Sequence, residues 1–246
     1  MAKRNDGTMG LFIGITRSGK STPIKAMIKS PVKAKRVLIW DAKNEYGPSL
    51  NITVIKSLPV LLDTLRTTTG NGRFAYVPSS FDKKEFDGFC RLAHVWNRQR
   101  PAVIVIEELA AVTNTGKAAG YWGVLVNQSL GLGATLLATV QRGQEVDKSV
   151  MNAASYLYVC QHNTHDDATY MAKKLGVELR DIPREPLRFM MWSPAKGHLA
   201  SGHVTFKQMG QPTAKTSQPV FTATAPVRRQ LKISATTGLF THLNHR

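Results

Sequence analysis

Residues Gly14–Thr22 read GITRSGKST and follow directly on the short apolar run Leu11–Gly14. Gly14, Gly19, Lys20 and Ser21 meet the spacing G-x-x-x-x-G-K-[ST]. A loop of this kind wraps its backbone N–H groups around an anion, so glycine stands where a side chain would clash or φ must be positive. A helix beginning at Ser21 aims its positive end at the same point. The feature therefore demands a strand, this turn and a helix in an open α/β sheet. Lys20 is the point charge for β- and γ-phosphate oxygens, and the Ser21 hydroxyl is a ligand for Mg²⁺. The loop's nucleotide contacts are assigned to Gly14, Thr16, Arg17, Ser18, Gly19, Lys20, Ser21 and Thr22, with ATP and Mg²⁺ as the expected ligands. An ordinary βα turn is the bland alternative, and the strand before and helix after the motif weigh against it.

The rest of the chain alternates short β-branched runs with longer helical stretches, the pattern of a parallel sheet with crossover helices. Strands are expected at Leu11–Gly14, Val37–Asp41, Ile52–Ile55, Phe74–Val77, Val103–Ile106, Ala134–Thr139 and Tyr156–Cys160. Helices are expected at Ser21–Lys29, Leu58–Thr67, Phe81–Arg98, Ala118–Gly131 and His165–Leu175, the last stopped by Gly176. Leu187–Trp192 and Gly202–Phe206 read as an antiparallel pair at the edge. A basic lead over residues 1–10, an ATPase domain over 11–208 and a tail or arm over 209–246 complete the expected organisation. That tail, rich in Gln, Pro, Thr, Ala and Lys, has no periodicity and reads as flexible, or as an arm that orders against a partner.

A phosphate site of this type needs carboxylates at the end of a nearby buried strand. AVIVIEELA supplies them: a continuous apolar strand ends at Glu107 and Glu108. Adjacent carboxylates closing such a strand are costly without a cation. Glu107 is assigned to the metal and Glu108 to the attacking water, although the pair can exchange roles. In ATLLATVQRGQEV, Gln141 follows an apolar strand, where an amide can touch the water or the γ-phosphate. Arg142 is placed either on phosphate or across a subunit boundary. The stretch WDAKNEYG brings Asp41, Lys43, Glu45 and Tyr46 to another strand end, and Asp41 and Glu45 are expected in the same crevice. A capped turn is the plainer reading there.

Lys and Arg number 33 against 16 Asp and Glu, a formal charge of +17, which favours a polyanionic partner, most often nucleic acid. No apolar run approaches the ~20 residues of a membrane span. Cys90 and Cys160 read as small core residues without metal spacing.

The order GITRSGKST, VLIWDAKNEYG, VIVIEELA, ATVQRGQEV resembles the FtsK–HerA superfamily of hexameric DNA-pumping ATPases, over roughly Leu11 to Phe206. In its stripped-down form it is similar to the genome-packaging ATPases of internal-membrane icosahedral viruses and phages. The resemblance implies a doubly wound, RecA-like P-loop fold with antiparallel edge strands. It also implies ATP-driven movement of double-stranded DNA, a homo-oligomeric ring of six, capsid or portal-vertex partners, and a place in the host cytoplasm or on the virion. Gln141 takes the family's sensor position. Its arginine finger lies upstream of the acidic strand, where Arg91, Arg98 and Arg100 compete and Arg98 is the first choice. Glu107 departs from the family's usual Asp. A HerA-like or conjugative translocase, and a nucleotide-dependent assembly factor without DNA pumping, are the other readings.

Overall fold

A computed structural model describes residues 7–206 and 219–223 of the chain. The elements run β1 (Thr8–Ile13), α1 (Ser21–Lys29), β2 (Arg36–Trp40), α2 (Gly47–Leu50), β3 (Thr53–Ile55), α3 (Leu58–Thr67) and β4 (Gly72–Tyr76). Next come α4 (Lys83–Gln99), β5 (Val103–Ile106), α5 (Leu109–Val112), α6 (Gly120–Val124) and β6 (Thr135–Val140). The last are α7 (Lys148–Ala153), β7 (Tyr156–Val159), α8 (His165–Leu175), β8 (Arg188–Ser193), β9 (Gly197–Phe206) and β10 (Pro219–Ala223).

The ten strands among the described residues form one sheet in the order β10-β9-β8-β7-β1-β6-β5-β2-β4-β3. From β7 to β3 the pairing is parallel, and β8, β9 and β10 are added antiparallel. Successive side chains of a strand point to opposite faces. In β2, Leu38 and Trp40 join a large core with α3, α4, α6 and α8, while Val37 and Ile39 join a smaller one with α1. Both faces are thus covered, which is why these strands read as unbroken apolar runs. Trp40 is fully buried and packs edge-on against Phe86 and Phe89 of α4.

Several boundaries fall as expected: α1, α3, β5 and α8 have the predicted limits, and Gly176 ends α8 in the left-handed region at φ 67°. Others differ. The single helix expected over Ala118–Gly131 is α6 followed by a π-helical turn at Leu125–Ser129 and a 3₁₀ turn at Leu130–Leu132. The widened turn seats Ser129, whose hydroxyl lies 2.9 Å from His94 Nδ1 and whose carbonyl accepts from the Ala134 amide at 2.9 Å. The helix α7 lies outside every expected helix. It is capped by Asp147, whose carboxylate accepts from the Val150 amide and the Trp122 indole, both at 2.9 Å. In the tail, β10 continues the sheet beyond β9; the rest of the segment read as a flexible arm lies outside the described residues. Among the described residues no helix is long and apolar enough to cross a membrane.

Candidate active site

The turn between β1 and α1 needs its glycines. Gly14 has φ 147°, and a Cβ there would stand 2.7 Å from the Cys160 Cβ. Gly19 has φ 96°, and Arg17 takes the left-handed region at φ 63°. The Lys20 ammonium is folded back on the loop, donating to the Gly14 carbonyl at 2.6 Å and the Ile15 carbonyl at 2.7 Å. Burial lowers its pKa below the usual lysine value, against the opposing charges of Glu108, Cys160 and Glu107. No side chain caps the start of α1; the Thr22 amide donates to the Gly19 carbonyl at 3.2 Å, and Pro23 has no N–H.

The sheet order brings the other strand ends alongside. Strand β6 lies between the loop strand β1 and the acidic strand β5, and β2 flanks β5 on its far side. Glu107 is buried and accepts one hydrogen bond per oxygen: Tyr46 donates to Oε1, and the Thr139 hydroxyl donates to Oε2 at 2.6 Å. The Tyr46 hydroxyl also accepts from the Ser21 side chain. A chain of side-chain contacts thus runs from Ser21 through Tyr46 to Glu107 and Thr139.

Glu108 begins the next segment in the left-handed region, φ 53° and ψ 47°, which for a non-glycine residue costs about 1–3 kcal/mol. Its amide donates to Thr139 Oγ1 at 3.1 Å, which helps hold that backbone. Its carboxylate accepts from Lys43 Nζ at 2.5 Å and from Gln141 Nε2 at 3.1 Å. Burial works to raise the Glu108 pKa, but the Lys43 and Gln141 hydrogen bonds and the charges of Lys43 and Lys20 outweigh it, leaving it lowered. A cavity of about 580 Å³ opens beside Glu108 and Gln141, bordered also by Thr113, Asn114 and Glu145.

Asp41 is fully buried, and its two oxygens accept from the Glu45 and Tyr46 amides, each at 2.9 Å. Burial raises its pKa, and those two amides oppose the shift. Both oxygens therefore serve the turn that delivers Tyr46, as the capped-turn reading has it. Glu45 is exposed and pairs with Lys25 of α1 at 3.3 Å. Arg142 pairs within its own chain, with Asp167 at 2.8 Å and Glu145 at 3.4 Å. Arg98 sits at the far end of α4, which spans about 25 Å back across the sheet. It is therefore remote from its own phosphate loop. Arg91 lies over the Tyr121 ring, and Arg100 follows the end of α4.

Lys20, Ser21, Glu107, Glu108 and Gln141 are thus brought together, whereas Arg98 and Arg142 are not joined to them. Three contributors had no assigned role in the sequence reading. Lys43 and Tyr46 lie in the stretch WDAKNEYG, and the signal available for Thr139 is a polar residue within an apolar strand. Among the described residues no three His, Cys, Asp or Glu cluster as a metal cage. The oxygen donors of Ser21 and Glu107, linked through one phenol, instead suit a hard cation that draws its remaining ligands from phosphate and water.

Fold and site together define a P-loop nucleoside triphosphatase. No family model matches the sequence. Protein P9 of Pseudoalteromonas phage PM2 is 30% identical over 173 residues, covering 70% of this chain and 77% of that protein, and the chain belongs to its family. Among solved structures, the genome packaging NTPase B204 of Sulfolobus turreted icosahedral virus 2, in complex with ATP-gammaS, matches with a TM-score of 0.64. The match has 15% identity and covers 78% of this chain and 95% of B204. EssC ATPases 2 and 3 of Geobacillus thermodenitrificans match with a TM-score of 0.51 and 14% identity, over 80% of this chain and 39% of theirs. The shared fold agrees with the FtsK–HerA resemblance of the motif order.

Proposed function

We propose that the chain is an ATP-hydrolysing motor that moves double-stranded DNA and packages a viral genome into a capsid. The observation that carries the hydrolytic part is that Gln141 contacts Glu108 and the Lys20 charge acts on it, with Glu107 tied to Ser21 through Tyr46. With ATP in the loop, Lys20 exchanges the Gly14 and Ile15 carbonyls for β- and γ-phosphate oxygens. A water positioned by Gln141 attacks the γ-phosphorus and loses a proton to the Glu108 carboxylate. The bond from phosphorus to the bridging oxygen breaks, and ADP and phosphate leave. Ser21 and Glu107 would hold Mg²⁺, which supplies charge neutralisation across the phosphates.

The DNA part rests on the +17 charge, on kinship with a phage protein and on likeness in fold to B204. The working form is a homo-oligomeric ring, six subunits by the resemblance, docking on capsid or portal-vertex proteins in the host cytoplasm. Arg98, remote from its own loop, then serves a neighbour's site as the transition-state arginine. Arg142, held by Asp167 at the end of β6, relays the state of that site across the same boundary.

The test is the ATPase rate of the full chain with and without duplex DNA, at several salt concentrations. Stimulation by DNA that fades with salt supports the motor. Nucleotide binding with no DNA stimulation would instead identify an assembly factor.

A further inference from the structure

Each oxygen of the Glu108 carboxylate already accepts a hydrogen bond from a protein donor. Gln141 occupies Oε2 at 3.1 Å, and Lys43 occupies Oε1 at 2.5 Å. Gln141 belongs to the proposed hydrolytic site, but Lys43 has no place in it. The backbone under Lys43 is held firmly: Asp41 caps the turn, the Asn44 amide donates to the Asp41 carbonyl at 3.1 Å, and Asn44 itself takes φ 53°. The Lys43 side chain is not enclosed, with 41% of it exposed against 13% for Glu108. Glu108 is its one ion-pair partner among the described residues.

Lys43 also lies close enough to Lys20 for the two charges to oppose each other. Both ammonium groups act on the Glu108 carboxylate, Lys43 in direct contact and Lys20 through its charge. Lys20 rests on neutral carbonyls, and Lys43 rests on the carboxylate that hydrolysis needs. A triphosphate seated in the loop brings its terminal charges into that space, whereas a diphosphate does not extend so far. A flexible lysine on a fixed turn is suited to follow that charge, since its ammonium binds phosphate without a set geometry.

Resting on the ATPase reading, we propose that Lys43 is a second phosphate-binding lysine that distinguishes ATP from ADP. Without a γ-phosphate it stays clamped on Glu108. With one it crosses to the γ-phosphate oxygens and leaves Oε1 free to receive the proton of the attacking water. No covalent bond changes in this exchange. The same residue thereby adds affinity for the triphosphate and releases the base only when there is something to hydrolyse.

The experiment is calorimetric titration of ADP and of ATPγS into the full chain, its Lys43→Met variant and its Lys43→Arg variant. Loss of one charge-assisted contact predicts that Lys43→Met weakens ATPγS binding about tenfold or more. ADP affinity should change less than about twofold, and Lys43→Arg should keep most of the preference for ATPγS. Equal weakening of both nucleotides would make Lys43 a merely structural residue and overturn the assignment, as would no change in either. A variant with an intact ATPγS to ADP ratio but weaker binding to duplex DNA would overturn it too, by showing that DNA phosphate is what draws Lys43. If the parent chain binds neither nucleotide, the ATPase reading itself fails. That outcome is distinct from a parent that binds and a variant that does not discriminate.

Discussion

Replacing Tyr46 by Phe removes one oxygen atom and leaves the ring where it packs. That oxygen is fully buried with its residue, donates to Glu107 Oε1 and accepts from Ser21. Ser21 is only half-buried, so its hydroxyl can turn to water at little cost. Glu107 is 6% exposed and has no such recourse; it keeps a single donor, Thr139 at 2.6 Å. A hydrogen bond to a charged group contributes about 1.5–3 kcal/mol, so the substitution should destabilise the chain by about 2 kcal/mol. For a domain of this size each kcal/mol moves Tm by about 2–4 °C, which predicts a fall of roughly 4–8 °C. Thermal unfolding of the nucleotide-free chain, followed by circular dichroism, measures it. Adding Thr139→Val strips the buried carboxylate of its second donor, and the double variant should lose more than the sum of the singles. A Tm within about 1 °C of the parent for Tyr46→Phe, or a double variant no worse than the single, would refute the idea that these hydroxyls hold Glu107.

Glu108→Gln should retain ATPγS binding while lowering kcat by about 10²–10⁴, the usual contribution of a general base; single-turnover ATPase assays decide it. Lys20→Ala should abolish DNA-stimulated hydrolysis, and normal turnover would sink the scheme. At Gly14, alanine meets both a φ of 147° and the Cys160 Cβ at 2.7 Å, so nucleotide binding should fail, whereas alanine at the unconfined Gly116 should be silent in the same titration. Asp167 has burial acting to raise its pKa, but hydrogen bonds from Thr164 and Arg142 and the Arg142 charge outweigh it and the value is lowered. A depressed carboxylate contributes stability above its unfolded value, near pH 4, and loses it as pH falls through the lower folded value. Asp167→Asn should therefore flatten the stability profile in that acidic window, measured by urea unfolding.

Some of this protein was legible in the chain alone because its signals are local. The glycine and lysine spacing of Gly14–Ser21, the unbroken apolar run of β5 and the glycine stop after α8 each depend on residues within a few positions. Dihedral limits and side-chain periodicity act at that range, and these elements fall where they were expected. The helix after Ala118 was not legible, because its widened turn answers to His94 on another helix. The same holds for Tyr46 and Thr139, which reach Glu107 across 61 and 32 residues of sequence. Their roles follow from the strand order, with β6 beside β5 on one side and β2 on the other. Burial made those pairings: a carboxylate enclosed at a sheet end must find its donors on neighbouring strands, and only the packed sheet decides which strands those are. The sequence by itself determined the glycine-bearing turn between β1 and α1, while the tertiary structure decided which side chains stand around the two glutamates.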